Sequence, residues 1–323
     1  MPLSRDASEP PTPRAPEPPY TNPVTLPVLT AVALLAGDAR QDCSEPLALG
    51  RKAYEARQYE QAAQQFARAL ESCGAGAPVL LALGQAQLLA QHPAEALTTL
   101  DRIPPSDSEY PAALKVKAKA LYLLRRDAEA VDALKLAASR TPSDAEIPYD
   151  LGRIYYQIGR HADAAAAFRQ ATTLDPRAYK AWDNLGLAME ALGDVAQAQQ
   201  HYLKAVALVH KDHPRYDVVY ANFADLLIKQ GDYRRAFDLA AEAAQRNPDE
   251  PRNFFLGGKA LVQLGRDDVS IKWLEQAARL NPDYPEPLYV LAQVYRRLGR
   301  TDDAARTLKA FQTASARAPR ERR

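Results

Sequence analysis

Three short runs in this 323-residue chain carry side chains that could do chemistry. His210-Lys211-Asp212-His213 brings two imidazoles and a carboxylate together, a donor set suited to zinc or a similar divalent metal. Asp267-Asp268 and Asp302-Asp303 are adjacent carboxylates of the kind that could divide acid and base roles between them. Each has a plainer reading. Histidines at a helix C-terminus and carboxylates at a helix N-terminus complement the helix dipole without any ligand. No His-Glu-x-x-His run, Gly-rich phosphate loop or Gly-x-Ser-x-Gly elbow occurs. The expectation is therefore a chain that is not an enzyme, with no catalytic residues, metal, cofactor or small-molecule substrate.

The elements that would position any such group are set by a period. Small residues recur 34 positions apart at Gly50, Gly84, Ala118, Gly152 and Gly186, then again at Ala224, Gly258 and Ala292 after one four-residue slip. Twelve positions after each stands a second small residue: Ala62, Ala96, Ala130, Ala164, Ala198, Ala236, Ser270 and Ala304. Helices whose axes approach to about 8–10 Å need minimal side chains at the crossing, so this spacing predicts a repeated pair of helices. Within one unit, Trp182, Leu185, Met189 and Leu192 follow helical spacing, as do Ala198, Tyr202 and Ala205 beyond Gly193-Asp194. Glycine recurs at the turn (Gly159, Gly193, Gly231, Gly265, Gly299), where a left-handed residue ends a helix, and Pro142, Pro176, Pro248 and Pro282 close the second helices.

The period and its residues resemble the tetratricopeptide-repeat family. Trp182, Leu185, Gly186, Ala198, Tyr202 and Ala205 occupy that family's signature positions, as do Leu151, Gly152, Tyr155, Ala164, Phe168, Ala171 and Pro176. Eight units begin at Cys43, Ala77, Pro111, Ala145, Tyr179, Asp217, Pro251 and Pro285. Pro93, Pro148, Ile103 and Phe311 depart from the pattern and weaken single units only. The resemblance implies an all-α fold, a right-handed superhelical solenoid of antiparallel helix pairs over residues 43–316.

It also implies a function class: a non-catalytic scaffold that binds an extended peptide or a partner helix along the first helices. The family's groove positions fall on Lys115, Lys119, Tyr149, Asp150, Arg153, Tyr156, Lys180, Asn184, Asn222, Asp225, Arg252, Phe255, Lys259 and Tyr289, with Asp183 and Glu190 on the same face. Asp150, Asn184 and Asn222 share one position in successive units, and an amide there has both donor and acceptor groups for a peptide backbone. The family's carboxylate clamp for acidic tails is not matched, because Tyr149 and Arg153 stand where lysine and asparagine are required. The alternative class is a self-associating or envelope assembly protein, a homo-oligomer built through ends and edges.

Forty-one basic and forty acidic residues give a net charge of +1, which argues against a nucleic-acid partner. Residues 1–23 are proline-rich and read as a disordered leader, and residues 317–323 as a basic disordered tail. Residues 24–39 are apolar, too short for a span of about 20 residues but suited to a signal-peptide core with cleavage after Ala39. That leader is long and poorly basic, as a translation start placed too early would make it. The expected location is exported, periplasmic or extracellular, ahead of cytoplasmic. Cys43 and Cys73 stand at the two ends of the first helix pair, where a disulfide is geometrically allowed; two separate thiols are the alternative.

Overall fold

A computed structural model describes residues 41–73 and 76–317, with the side chains of residues 41–43, 73 and 211 outside the described set. The described residues hold sixteen helices and no strand. They alternate as first and second helices of eight pairs: α1 Gln41–Glu55 with α2 Tyr59–Cys73, α3 Ala77–Leu89 with α4 Pro93–Leu100, α5 Tyr110–Leu123 with α6 Asp127–Arg140, and α7 Glu146–Gln157 with α8 His161–Leu174. The remaining pairs are α9 Tyr179–Ala191 with α10 Val195–Asp212, α11 Val218–Lys229 with α12 Tyr233–Arg246, α13 Pro251–Gln263 with α14 Asp267–Leu280, and α15 Pro285–Arg297 with α16 Thr301–Arg317. The four-residue slip in the period is one added helical turn: α10 has 18 residues where α8 has 14.

Each first helix ends in the same way. At α7 the Gly159 N–H donates to the Tyr156 carbonyl at 3.1 Å and the Arg160 N–H to Tyr155 at 2.8 Å, with Gly159 at φ +77°. That is a Schellman ending, in which a left-handed residue satisfies two orphan carbonyls. Arg57, Gln91 and Arg125 take this conformation without being glycine, at φ of 60°, 68° and 61°. Asp194 and Asp232 then cap the second helices by accepting from the Gln197 and Arg235 amides.

The small residues serve packing in two ways. Ala62, Ala96, Ala130, Ala164, Ala198, Ala236 and Ser270 are wholly buried on the second helices. The first-helix glycines receive a large side chain sixteen residues further on rather than a bare helix backbone. A Cβ on Gly152 would lie 2.6 Å from the Phe168 ring, and one on Gly186 would lie 2.6 Å from the Tyr202 ring. Close approach of a ring to a helix backbone is thus what fixes the period.

The described residues form two compact units, an N-terminal unit reaching Ala181 and a C-terminal unit from Trp182. Within the N-terminal unit α3 touches α5, and within the C-terminal unit α11 touches α13 and α13 touches α15. Consecutive first helices therefore lie closer together than consecutive second helices, which places the first helices on the inner side of each unit. No described helix is long and apolar enough to cross a membrane. Residues 1–40 and 318–323, with the leader, apolar segment and most of the tail assigned to them, lie outside the described residues, and the Cys43–Cys73 pairing rests on side chains outside them.

Candidate functional site

The sequence-predicted groove positions of the N-terminal unit are drawn into a chain of charges. Lys115, on α5, is 9% exposed and donates to Asp144 Oδ2 at 2.8 Å and Glu146 Oε2 at 2.7 Å. One helical turn on, Lys119 donates to Glu146 Oε1 at 2.9 Å and lies 3.3 Å from Asp150 Oδ2. Arg153 stands 3.8 Å from Asp150 Oδ1 and reaches over the Tyr149 ring. Burial pulls the Lys115 ammonium down, but hydrogen bonds to Asp144 and Glu146 more than offset it and raise its pKa. Burial works against the Glu146 carboxylate, yet Lys119 and Lys115 hold it below its usual range. At Asp150 burial wins over Lys119 and the pKa is raised. Tyr149 and Tyr156 pack against Phe168 and His161, and Lys180 lies over Tyr179, its pKa lowered by burial and by Arg153.

The C-terminal unit does the same work with neutral amides. Asp183 is 1% exposed; its Oδ2 accepts from the Tyr216 hydroxyl at 2.7 Å and its Oδ1 from Asn222 Nδ2 at 3.0 Å. Asn222 Oδ1 in turn accepts from Arg252 Nη1 at 2.9 Å. A second buried pair joins Asn253 Nδ2 to Asp217 Oδ2 at 2.7 Å. Burial raises Asp183 to about 6 against the hydrogen bonds from Asn222 and Tyr216, which lower it. Asp225 pairs with Lys229, which also reaches Glu190. Lys259 sits over Phe255, Phe255 meets Tyr284 edge-on at 5.4 Å, and Tyr289 packs on Phe311 while remaining about half exposed.

The structure thus divides the sequence-predicted positions. Asp150 and Asn222 are buried, Lys115 nearly so, and Asn222 has its amide engaged on both sides. Asn184 is half-buried on α9. Arg153 and Tyr289 are exposed, and Lys119, Tyr149, Tyr156, Lys180, Asp225, Arg252, Phe255 and Lys259 are intermediate. Asp144, Tyr216, Asp217 and Asn253 are partners that sequence reasoning missed. A usable signal exists: Lys115 meets Asp144 and Glu146 at separations of 29 and 31, and Asn222 meets Arg252 at 30, each about one repeat less one helical turn.

The candidate chemical runs fall at helix ends. Asp267 and Asp268 lie in the first turn of α14, Asp267 accepting from Arg297 at 2.7 Å; Asp303 in the first turn of α16 pairs with Arg300 and Arg306. His210 Nδ1 lies 3.4 Å from the Tyr220 hydroxyl, and the His210 and His213 carbonyls accept from Arg246. Among the described residues no group of three or more His, Cys, Asp or Glu is placed to hold a metal.

Comparison with known proteins agrees with this architecture. Family models described as tetratricopeptide repeat match residues 53–120, 149–213 and 288–314, and one described as TPR repeat matches 258–299, together more than half of the chain. These are repeat families rather than catalytic domains. No curated protein sequence matches. A tetratricopeptide repeat protein from Parabacteroides merdae ATCC 43184 is similar in structure at 15% identity, covering 79% of this chain and 99% of its own, with a TM-score of 0.59. The Cut9–Hcn1 hetero-tetramer of the APC/C is similar at 15% identity over 90% of this chain and 57% of that one, with a TM-score of 0.58. MamA is similar at 23% identity over 53% of this chain and 93% of its own, with a TM-score of 0.47. At such identities the likeness concerns the fold. With its 34-residue period, its eight helix pairs and the family models matching more than half of it, the chain belongs to the tetratricopeptide-repeat family.

Proposed function

We propose that the chain is a non-catalytic protein-interaction scaffold whose first-helix faces bind an extended peptide or a partner helix. The observation that carries this reading is the close approach of consecutive first helices within each unit, which leaves their side chains lining an inner surface. On that surface, charged and polar groups are held in place by bonds between neighbouring repeats, so little side-chain freedom is lost when a partner docks. The alternation of cations, carboxylates and rings suits selection among partners more than strong long-range attraction.

The test is display selection of peptides on the full chain, followed by calorimetry on the selected sequences. Arg153→Ser and Tyr289→Ala, both at exposed groove positions, are expected to weaken binding about tenfold, the scale of an interface contact worth ~1.4 kcal/mol. Selected peptides that bind both variants as tightly as the parent chain would overturn the reading.

A further inference from the structure

A cavity of about 240 Å³ opens on the first-helix side of the N-terminal unit, among α3, α5, α6 and α7. Leu88, Leu134 and Ile154 give it an apolar wall, and Asp150, Lys119 and Arg153 form one polar corner. The corner is under-bonded. Asp150 is only 7% exposed; its Oδ2 makes no aligned hydrogen bond although Lys119 Nζ lies 3.3 Å away, and its Oδ1 has Arg153 no nearer than 3.8 Å. Two long ion pairs leave this buried carboxylate short of well-aligned donors, and burial outweighs Lys119 in disfavouring its charged form. An occupant that supplies a donor would remove that cost.

We propose that this cavity anchors a tyrosine side chain of a bound peptide, with the ring on Leu88, Leu134 and Ile154 and the hydroxyl donating to the Asp150 carboxylate while accepting an N–H from Arg153. The inference rests on the peptide-binding reading above. Other occupants fit less well. The volume falls below the roughly 300–1,000 Å³ of sites for whole small molecules, which points to a single side chain. Lys119 and Arg153 repel an ammonium, and a carboxylate or phosphate, though drawn to those cations, would bring the Asp150 carboxylate no donor. Phenylalanine brings no donor, and an indole N–H donates but offers Arg153 no acceptor. A phenol does both.

The test uses side-chain analogues on the full chain, followed by protein-detected NMR, with p-cresol as the probe and toluene, 3-methylindole and butylammonium as comparators. p-Cresol is expected to shift the Ala118, Tyr122 and Ile154 amides and to bind at least about fivefold more tightly than any comparator. Asp150→Leu should abolish that preference, since Lys119 keeps Glu146 as its partner. Leu123→Trp at the exposed rim should block p-cresol without touching the core, so the idea stays testable should the first variant fail to fold. Equal binding of toluene or 3-methylindole, or p-cresol binding indifferent to both variants, would overturn the anchor. In display-selected peptides, a Tyr→Phe change is expected to cost about tenfold; a change under twofold would sink the anchor and leave the scaffold reading standing. Conversely, p-cresol bound as expected in a chain that selects no peptide would support the pocket chemistry and remove the peptide-binding reading.

Discussion

The two units solve one packing problem with different chemistry. Both lay first helices side by side, and both must therefore bury polar groups between neighbouring repeats. The N-terminal unit uses full charges, Lys115 and Lys119 against Asp144, Glu146 and Asp150. The C-terminal unit surrounds Asp183 with the neutral donors Tyr216 and Asn222 and keeps Arg252 one bond away. Removing one member of a charged contact at 2.7–3.3 Å leaves a buried charge behind, whereas an amide bridge carries both polarities in one neutral side chain. The repeat thus dictates where polar groups meet, and the local sequence chooses which kind.

The feature shared by both units should give the largest effects. Gly152→Val and Gly186→Val each drive a side chain into a ring 2.6 Å away, and each is expected to cost about 3 kcal/mol in urea unfolding. A clear inequality between them would break the claim that both units are built on the same contact. Next come the contrasting bridges. Lys115→Met leaves Asp144 and Glu146 without their buried cation, and Asn222→Ala leaves Asp183 and Arg252 each short of a partner; both are expected to cost about 2 kcal/mol. The distinction lies in salt: hydrogen exchange should show the charged cluster around α5 and α7 weakening more between low and high ionic strength than the amide bridge around α9 and α11.

Acid response should sharpen the comparison further. Asp183 has a folded pKa of about 6, above its ordinary 3.8, so the folded state takes up a proton first and this group adds stability as pH falls from 7 towards 4. Asp217, also raised, works in the same direction. In the N-terminal unit the two carboxylates act in opposite directions: raised Asp150 adds stability as pH falls, whereas the contribution of lowered Glu146 is present above the ordinary carboxylate pKa and lost as pH falls through its folded value. The C-terminal unit is therefore expected to gain protection as pH falls from 7 to 5, with the Asp183 carboxyl resonance moving near pH 6. The smallest effect concerns turns. Gln91→Gly should stabilise the N-terminal unit by about 0.5–1 kcal/mol in thermal unfolding, because Gln91 is held at φ +68°. Gly193, Gly231, Gly265 and Gly299 already provide that relief in the C-terminal unit.

How far the sequence could be read depends on the range of the interaction. The helix pairs were legible because Gly152, Ala164 and Phe168 are local, lying within sixteen positions of one another. The slip was legible too, since four residues make one turn of α10. Burial of Asp183 and Asn222 was not, because a polar residue at a groove position looks solvated until the repeat 30 to 39 residues away brings a partner over it. Tyr216 was hidden for another reason: it comes from the loop after the lengthened α10, where the period gives no register. The left-handed Arg57, Gln91 and Arg125 carry no sequence mark, since the Schellman bonding of their helices imposes what glycine elsewhere permits.

The most direct measurement is paramagnetic broadening by a spin label on a display-selected peptide bound to the full chain. Broadening concentrated within a unit on amides of its first helices, α5 and α7 or α11 and α13, with the second helices of that unit spared, is the predicted result. Broadening centred on the second helices, or on α16 alone, would contradict the account.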